Sequence, residues 1–295
     1  MRNPSNKSKP NAKSSSMATH PHKEFFTRRL SLLLSRLERN RRKFLSGRRP
    51  EALHDFRVAL RRLRTCLRLL ETGYPPRLFL PVKAMLKGVT QITNSLRDLE
   101  VSAALWGSLP PPPPTSTGLR QWLRTQEEVR GLREREIRVE LSSPRFTREL
   151  SALKAKLALR TDGRKTALLV AEAFAREMGK LRGLLQKTKG SRTGTVLFHK
   201  LRVQAKRVRY GLEEFKFLMP GQAGTLAACC KRAQSALGDW RDMESALRLL
   251  GTAGNGLFPE TRPWREELKR RRRTAWKEGR EAVRALGKTL DASNL

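Results

Sequence analysis

The sequence contains no run of about 18 apolar residues, so no transmembrane helix and no membrane insertion are expected. Its best apolar stretch, Leu30 to Leu37, is interrupted by Arg36. The N-terminus is polar and lacks the apolar core of a secretory signal. Three cysteines cannot build a disulfide framework. Cys229 and Cys230 are adjacent, and Cys66 lies far from any Cys or His pair at zinc spacing. A reduced, cytoplasmic protein with no metal and no other cofactor is the expectation. Aromatic residues make up only 6% of the chain. Few remain to stack bases, as sequence-tolerant single-strand binders do, once a core is built. There is no Gly-rich phosphate loop, no nucleophile–base pair and no clear carboxylate cluster for Mg²⁺, so no catalysis is expected.

One kind of residue is abundant. Lys and Arg number 63 against 27 Asp and Glu, a formal net charge of +36. Such a chain repels itself and attracts any polyanion. Nucleic acid, an anionic membrane surface and linear polyphosphate all answer to that description, and charge alone does not choose among them. The hydrophobic fraction of 38% is enough for a core.

Residues 1–22, rich in Ser, Asn, Lys and Pro, read as a disordered basic tail, and 291–295 as a short C-terminal one. Between them the apolar periodicity is helical throughout. Helices are expected over about 24–46, 51–70, 77–106, 118–141 and a shorter 145–159. They continue over about 164–188, 194–218, 222–250 and 260–289. Breaks fall at Gly47 and Pro50, Gly73 to Pro76, Pro110 to Pro114 and Asp162-Gly163, then at Gly190, Pro220-Gly221 and Gly251 to Pro259. The class is all-α, in two halves, 23–160 and 161–290. The second half restarts the pattern of the first after about 145 residues, an internal repeat.

The repeat can be checked residue by residue. His54-Asp-Phe-Arg-Val-Ala-Leu-Arg-Arg-Leu-Arg64 lies over His199-Lys-Leu-Arg-Val-Gln-Ala-Lys-Arg-Val-Arg209. Identical pairs are His54 and His199, Arg57 and Arg202, Val58 and Val203, Arg62 and Arg207, and Arg64 and Arg209. Downstream, Leu96-Arg-Asp-Leu-Glu100 lies over Trp240-Arg-Asp-Met-Glu244. At about 100° per residue, His54, Arg57, Arg61, Arg64 and Arg68 share one stripe of their helix. Phe56, Leu60, Leu63, Cys66, Leu67 and Leu70 lie opposite. In the second copy His199, Arg202, Lys206 and Arg209 face away from Leu201, Ala205, Val208, Leu212 and Phe215. Glu213 stands where the first copy has Arg68, so it either shortens the stripe or supplies a partner for an Arg.

A solvated face is the ordinary reading of such a stripe. Like charges at i, i+3 and i+4 destabilise a helix by a few tenths of a kcal/mol per pair, however. A stripe of one sign, repeated with its His, asks for an anion. A second polar stripe runs through Lys87, Gln91, Asn94 and Asp98, and again through Lys231, Ser235, Gly238 and Asp242. Asp98 and Asp242 follow Arg97 and Arg241; each is either a carboxylate that fixes an Arg fork or an ordinary salt-bridge partner. His54 and His199 either hydrogen-bond a phosphate oxygen or are core histidines.

These segments resemble the CHAD family, the conserved histidine α-helical domain, whose pattern is a His followed by Arg-Val and Arg-Arg-x-Arg, given twice. Leu237-Gly-Asp-Trp-Arg-Asp242 is similar to its second signature, Leu-Gly-x-x-Arg-Asp. The first half departs there, with Thr93-Asn94 in place of Leu-Gly, so the tight helix contact at that glycine is implied for the second half and not for the first. Ser143-Pro-Arg-Phe-Thr is similar to the family's mid-domain connector. The resemblance spans about residues 24–290. It implies two pseudo-two-fold related four-helix bundles with a basic central groove or pore, binding of inorganic polyphosphate, and in some members a place at polyphosphate granules. The alternating glutamates of the triphosphate-tunnel domain often fused to the family are not found, which implies a stand-alone polyphosphate-binding protein. In that reading Arg57, Arg61, Arg64, Arg202 and Arg209 take phosphoryl oxygens. Lys206, Lys87 and Lys231 act as point charges, and His54 and His199 hydrogen-bond at the centre. Arg68, Arg97, Arg207 and Arg241 complete the set, with Asp98 and Asp242 behind it. Nonspecific nucleic-acid binding is the alternative, an enzyme acting on polyphosphate a more distant one. Oligomeric state is open.

Overall fold

Amphipathic periodicity gives nine α-helices, with no strand, among the described residues of the computed structural model: 21–47, 51–113, 115–158, 163–189, 194–216, 221, 223–253 and 259–293. They are α1 (Pro21–Leu45), α2 (Ala52–Leu70), α3 (Leu80–Gly107), α4 (Thr117–Ser142), α5 (Pro144–Ala158), α6 (Gly163–Lys189), α7 (Thr195–Glu214), α8 (Ala223–Ala253) and α9 (Arg262–Ala292). The expected N-terminal tail lies outside the described residues except for its last two, which open α1. Most of the expected breaks at Pro50, Gly190, Pro220 and 251–259 also lie outside them.

Backbone chemistry sets the visible boundaries. Gly47 ends α1 with φ +69°, a conformation that costs glycine little. Helix α3 starts three residues later than its apolar pattern suggests. Pro75 and Pro76 fix φ and remove two N–H donors, so residues Pro76–Leu78 form a 3₁₀ turn instead.

The apolar faces read from the helical wheel are the buried ones. Phe56, Leu60, Leu63, Cys66, Leu67 and Leu70 on α2 and Leu201, Ala205, Val208, Leu212 and Phe215 on α7 are all in the core. That core runs through both halves without a break, from Phe26 to Leu290. A smaller apolar cluster joins the far ends of α3, α4, α8 and α9, where Trp106 and Trp264 stack at 5.8 Å. Within the first half α1 packs on α2 and α3 on α4; within the second α6 packs on α7, α7 on α8 and α8 on α9. Across the halves α1 meets α6, α2 meets α7 and α3 meets α8. Helices α1, α2 and α3 thus each touch the helix that holds the same place in the second half. Helix α5 has no counterpart; its Phe146 packs on Phe56 at 6.2 Å. The two His-Arg helices are consequently brought side by side with their basic stripes toward α3 and α8.

Candidate functional site: a cationic groove between the His-Arg helices

A groove of about 600 Å³ opens between α2, α3 and α7. Seven cations line it: Arg61, Arg64 and Arg68 from α2, Lys83 and Lys87 from α3, and Lys206 and Arg207 from α7. No carboxylate is among the lining residues. Lys83 is paired with Glu71 at 2.6 Å, outside the groove. The other six make no salt bridge among the described residues.

Their hydrogen bonds show which ends are held and which are free. Arg61 donates Nε to the Arg57 carbonyl at 3.1 Å, which fixes the stem and leaves its terminal nitrogens unbonded. Arg64 donates to Thr90 Oγ1 at 2.8 Å. Arg68 has Nε and Nη2 buried with no hydrogen-bond partner among the described residues. Buried donors left unpaired cost about 1–3 kcal/mol each, more when charged. Lys206 makes neither a hydrogen bond nor a salt bridge among the described residues. Burial, and then the charges of Arg202, Arg61, Arg57 and Arg209, pull its amine down to about 7.

Beyond Arg61 the cations continue toward the α3–α8 contact. Arg57 is buried, and donates to the Thr93 carbonyl at 2.6 Å and to Asn94 Oδ1 at 3.2 Å. Burial and the neighbouring Arg61 and Arg97 bring its guanidinium down to about 10. Its counterpart Arg202 lies against Gly238, where a Cβ would stand 3.2 Å from Nε and Nη2. Asn94 and Gly238 occupy corresponding places, so each half seats its Arg on the next helix by a different device. In the first half the seat is a hydrogen bond, in the second a missing side chain. The Arg202 Nε is also buried without a partner. Asp242 approaches Arg202 and Arg97; burial pushes its carboxyl up, and the two Arg oppose that.

A model of the CHAD domain matches residues 28–251. The chain belongs to the CHAD domain family. The solved CHAD domain from the plant Ricinus communis shares its fold with a TM-score of 0.64 at 23% identity, over 92% of each chain. PptA from Streptomyces chartreusis superposes with a TM-score of 0.60 at 15% identity, over 92% of this chain and all of that one. No curated protein matches the sequence.

Not every basic residue singled out in this CHAD domain reaches the groove. Arg61, Arg64, Arg68, Lys87, Lys206 and Arg207 line it. Arg57 turns inward to the α3 backbone. Arg209 lies over the Tyr210 ring at 4.4 Å and 3.6 Å from Glu213. Lys231 is exposed on α8 and is not among the lining residues. His54 and His199 are both exposed, so neither is a core histidine. His199 Nδ1 is 3.0 Å from Arg241 Nη1. A guanidinium only donates, so Nδ1 accepts, and the neutral ring carries its proton on Nε2. Burial and the charges of Arg241, Arg202 and Lys206 lower the imidazole. Neither Asp98 nor Asp242 forms a salt bridge among the described residues, so neither closes a fork with its neighbouring Arg.

Two features escaped the sequence reading. Lys83 lines the groove one turn before Lys87, at an i, i+4 spacing that would have revealed it. The second is an ion-pair network that closes the far side of the α2–α7 contact. Arg62 donates to Glu213 at 2.6 Å and to Glu214 at 3.0 Å, while Arg29 of α1 holds the same Glu214 at 2.6 Å. Glu213 is thus an internal partner, for Arg62 and Arg209.

Proposed function

We propose that this CHAD domain binds inorganic polyphosphate in the cationic groove, without catalysis, and serves as a polyphosphate-granule-associated or targeting module. The observation that carries the reading is the lining itself: seven cations, no carboxylate, and buried Arg68 donors with no partner among the described residues. A flexible chain of bare phosphates needs forked and point cations in a line, and no surface for bases. The aromatic residue in the wall, Tyr210, is buried, with the Arg209 guanidinium over its ring. It offers no platform to a base. Arg61, Arg64 and Arg68 span about 10 Å of α2, enough to track several consecutive phosphates. Among the described residues no group of three or more His, Cys, Asp or Glu is placed to hold a metal ion.

The test is titration of the full chain with long-chain polyphosphate, beside the variant Arg64→Gln/Lys87→Gln/Lys206→Gln. Charge-assisted hydrogen bonds contribute about 1.5–3 kcal/mol each, so the triple variant should bind at least 100-fold more weakly with unchanged helicity. Incubation with polyphosphate and Mg²⁺ should release no orthophosphate. Undiminished binding by the variant would move the site elsewhere, and released orthophosphate would make the protein an enzyme.

A further inference from the structure

Helix α9 carries eleven Lys and Arg against five Asp and Glu. Helix α4, in the corresponding place of the first half, carries six against five. On α4 the charges pair along the helix: Arg130 with Glu127, Arg133 with Glu136, and Arg138 with Glu134. On α9 the paired cations are confined to the N-terminal part, where Lys269 meets Glu266, Arg270 and Arg271 share Glu267, and Arg272 reaches Glu244. Beyond that point Arg273, Lys277, Arg280, Arg284 and Lys288 are exposed, and none forms a salt bridge among the described residues.

These five side chains form a line. At about 100° per residue they fall within a sector of about 80° and extend about 22 Å along the axis. The side turned away from it, Ala275, Gly279, Val283, Leu286 and Leu290, centred about 140° round the helix, is buried. Glu281 stands at the edge of the stripe, and Asp291 at its far end lies 3.7 Å from Lys189. A solvated face needs no such excess, as α4 shows, and unpaired like charges at i+3 and i+4 weaken the helix that bears them.

We propose that the outer face of α9 is a second polyanion surface, separate from the groove, that docks along the phosphate backbone of duplex nucleic acid. A straight, convex, exposed row of cations suits a stiff polyanion, which loses little conformational entropy on docking; a flexible phosphate chain loses much more. One strand carries a phosphate per about 3.4 Å of duplex axis, so the row spans the axial length of about six phosphates. Trp276 is drawn inward, 4.6 Å from Phe198, so the face has no aromatic side chain for unpaired bases and recognition is of backbone alone. No exposed apolar side chain lies in the sector to enter a lipid surface. The surface stands whether or not the groove takes polyphosphate. Where both act, one molecule holds a phosphate polymer and a duplex together.

The experiment is titration of the full chain with a mixed-sequence duplex of about 30 base pairs between 50 and 200 mM salt, repeated with Lys277→Gln/Arg280→Gln/Arg284→Gln/Lys288→Gln. The four lost contacts should cost at least tenfold in affinity and flatten the log–log salt slope by about 3.6. Helicity should not change, and the groove variant Arg64→Gln/Lys87→Gln/Lys206→Gln should keep duplex binding. Unaltered duplex binding by the α9 variant overturns the proposal. So does loss of duplex binding in the groove variant, displacement of the duplex by polyphosphate at one equivalent, or binding of phosphatidylserine vesicles in place of the duplex.

Discussion

At the scale of single residues, Lys206 is the group whose chemistry sets the site apart from a generic basic surface. It faces Arg57 and Arg61 from α2 and Arg202 and Arg209 from its own helix, with no carboxylate in contact, and its amine is drawn down to about 7. Two opposite pH dependences follow. The folded value lies below the roughly 10.4 of an unfolded lysine, so the unfolded chain holds more protons in between, and stability of the free protein should rise with pH from about 7 to about 10. A bound phosphate stabilises the charged amine and raises its value. Binding therefore takes up a proton above pH 7, and affinity should fall by up to about tenfold per pH unit there. Calorimetry in buffers of different ionisation enthalpy measures that uptake directly. Replacing Lys206 with Ala should abolish it, and uptake that persisted would assign the proton to another group. Arg57 teaches a different lesson. On the helical wheel it is equivalent to Arg61, and by sequence it matches Arg202. The Thr93 carbonyl, 36 residues away, nevertheless turns it inward. Periodicity gives the direction in which a side chain leaves its helix, and a tertiary hydrogen bond decides where it ends.

At the scale of helices, the sequence was most legible where burial dictates it. The apolar faces of α2 and α7 follow from the 3.6-residue period because packing removes that face from water and nothing else competes. Boundaries were less legible where proline and glycine act, as at the start of α3. The α2–α7 contact itself was not legible, because its specific devices are pairings between distant residues. Glu214 is fully buried beneath Arg29 and Arg62. Replacing it with Ala leaves two cations partly buried without a partner and should destabilise the fold by about 3 kcal/mol in urea unfolding. A second device is Gly211, where a Cβ would stand 2.5 Å from the Phe174 ring and 3.6 Å from Leu69. Phe174 is itself in the core, so Gly211→Ala should cost about 1–3 kcal/mol through overpacking of α6 against α7. A variant as stable as the parent would show that the ring has room to move. Both substitutions lie away from the groove lining and should weaken polyphosphate binding only through loss of folded protein.

At the scale of the whole molecule, the charge of +36 is organised rather than spread. The packing of α2 on α7 brings two basic stripes to one contact, and Glu213 and Glu214 neutralise its far side, so the open groove belongs mainly to α2, α3 and α7. Helix α4 is nearly neutral, while α9 keeps its excess outward. Binding through six groove cations should release condensed counterions, so polyphosphate affinity should drop by about two to three orders of magnitude between 50 and 200 mM salt. The most direct measurement is titration with long-chain polyphosphate at about 150 mM salt, with duplex DNA of equal charge added as competitor. The account expects tight binding that the duplex does not displace and that requires Lys87 and Lys206. Displacement of polyphosphate by an equal charge of duplex would contradict it and reduce the groove to a generic polyanion surface.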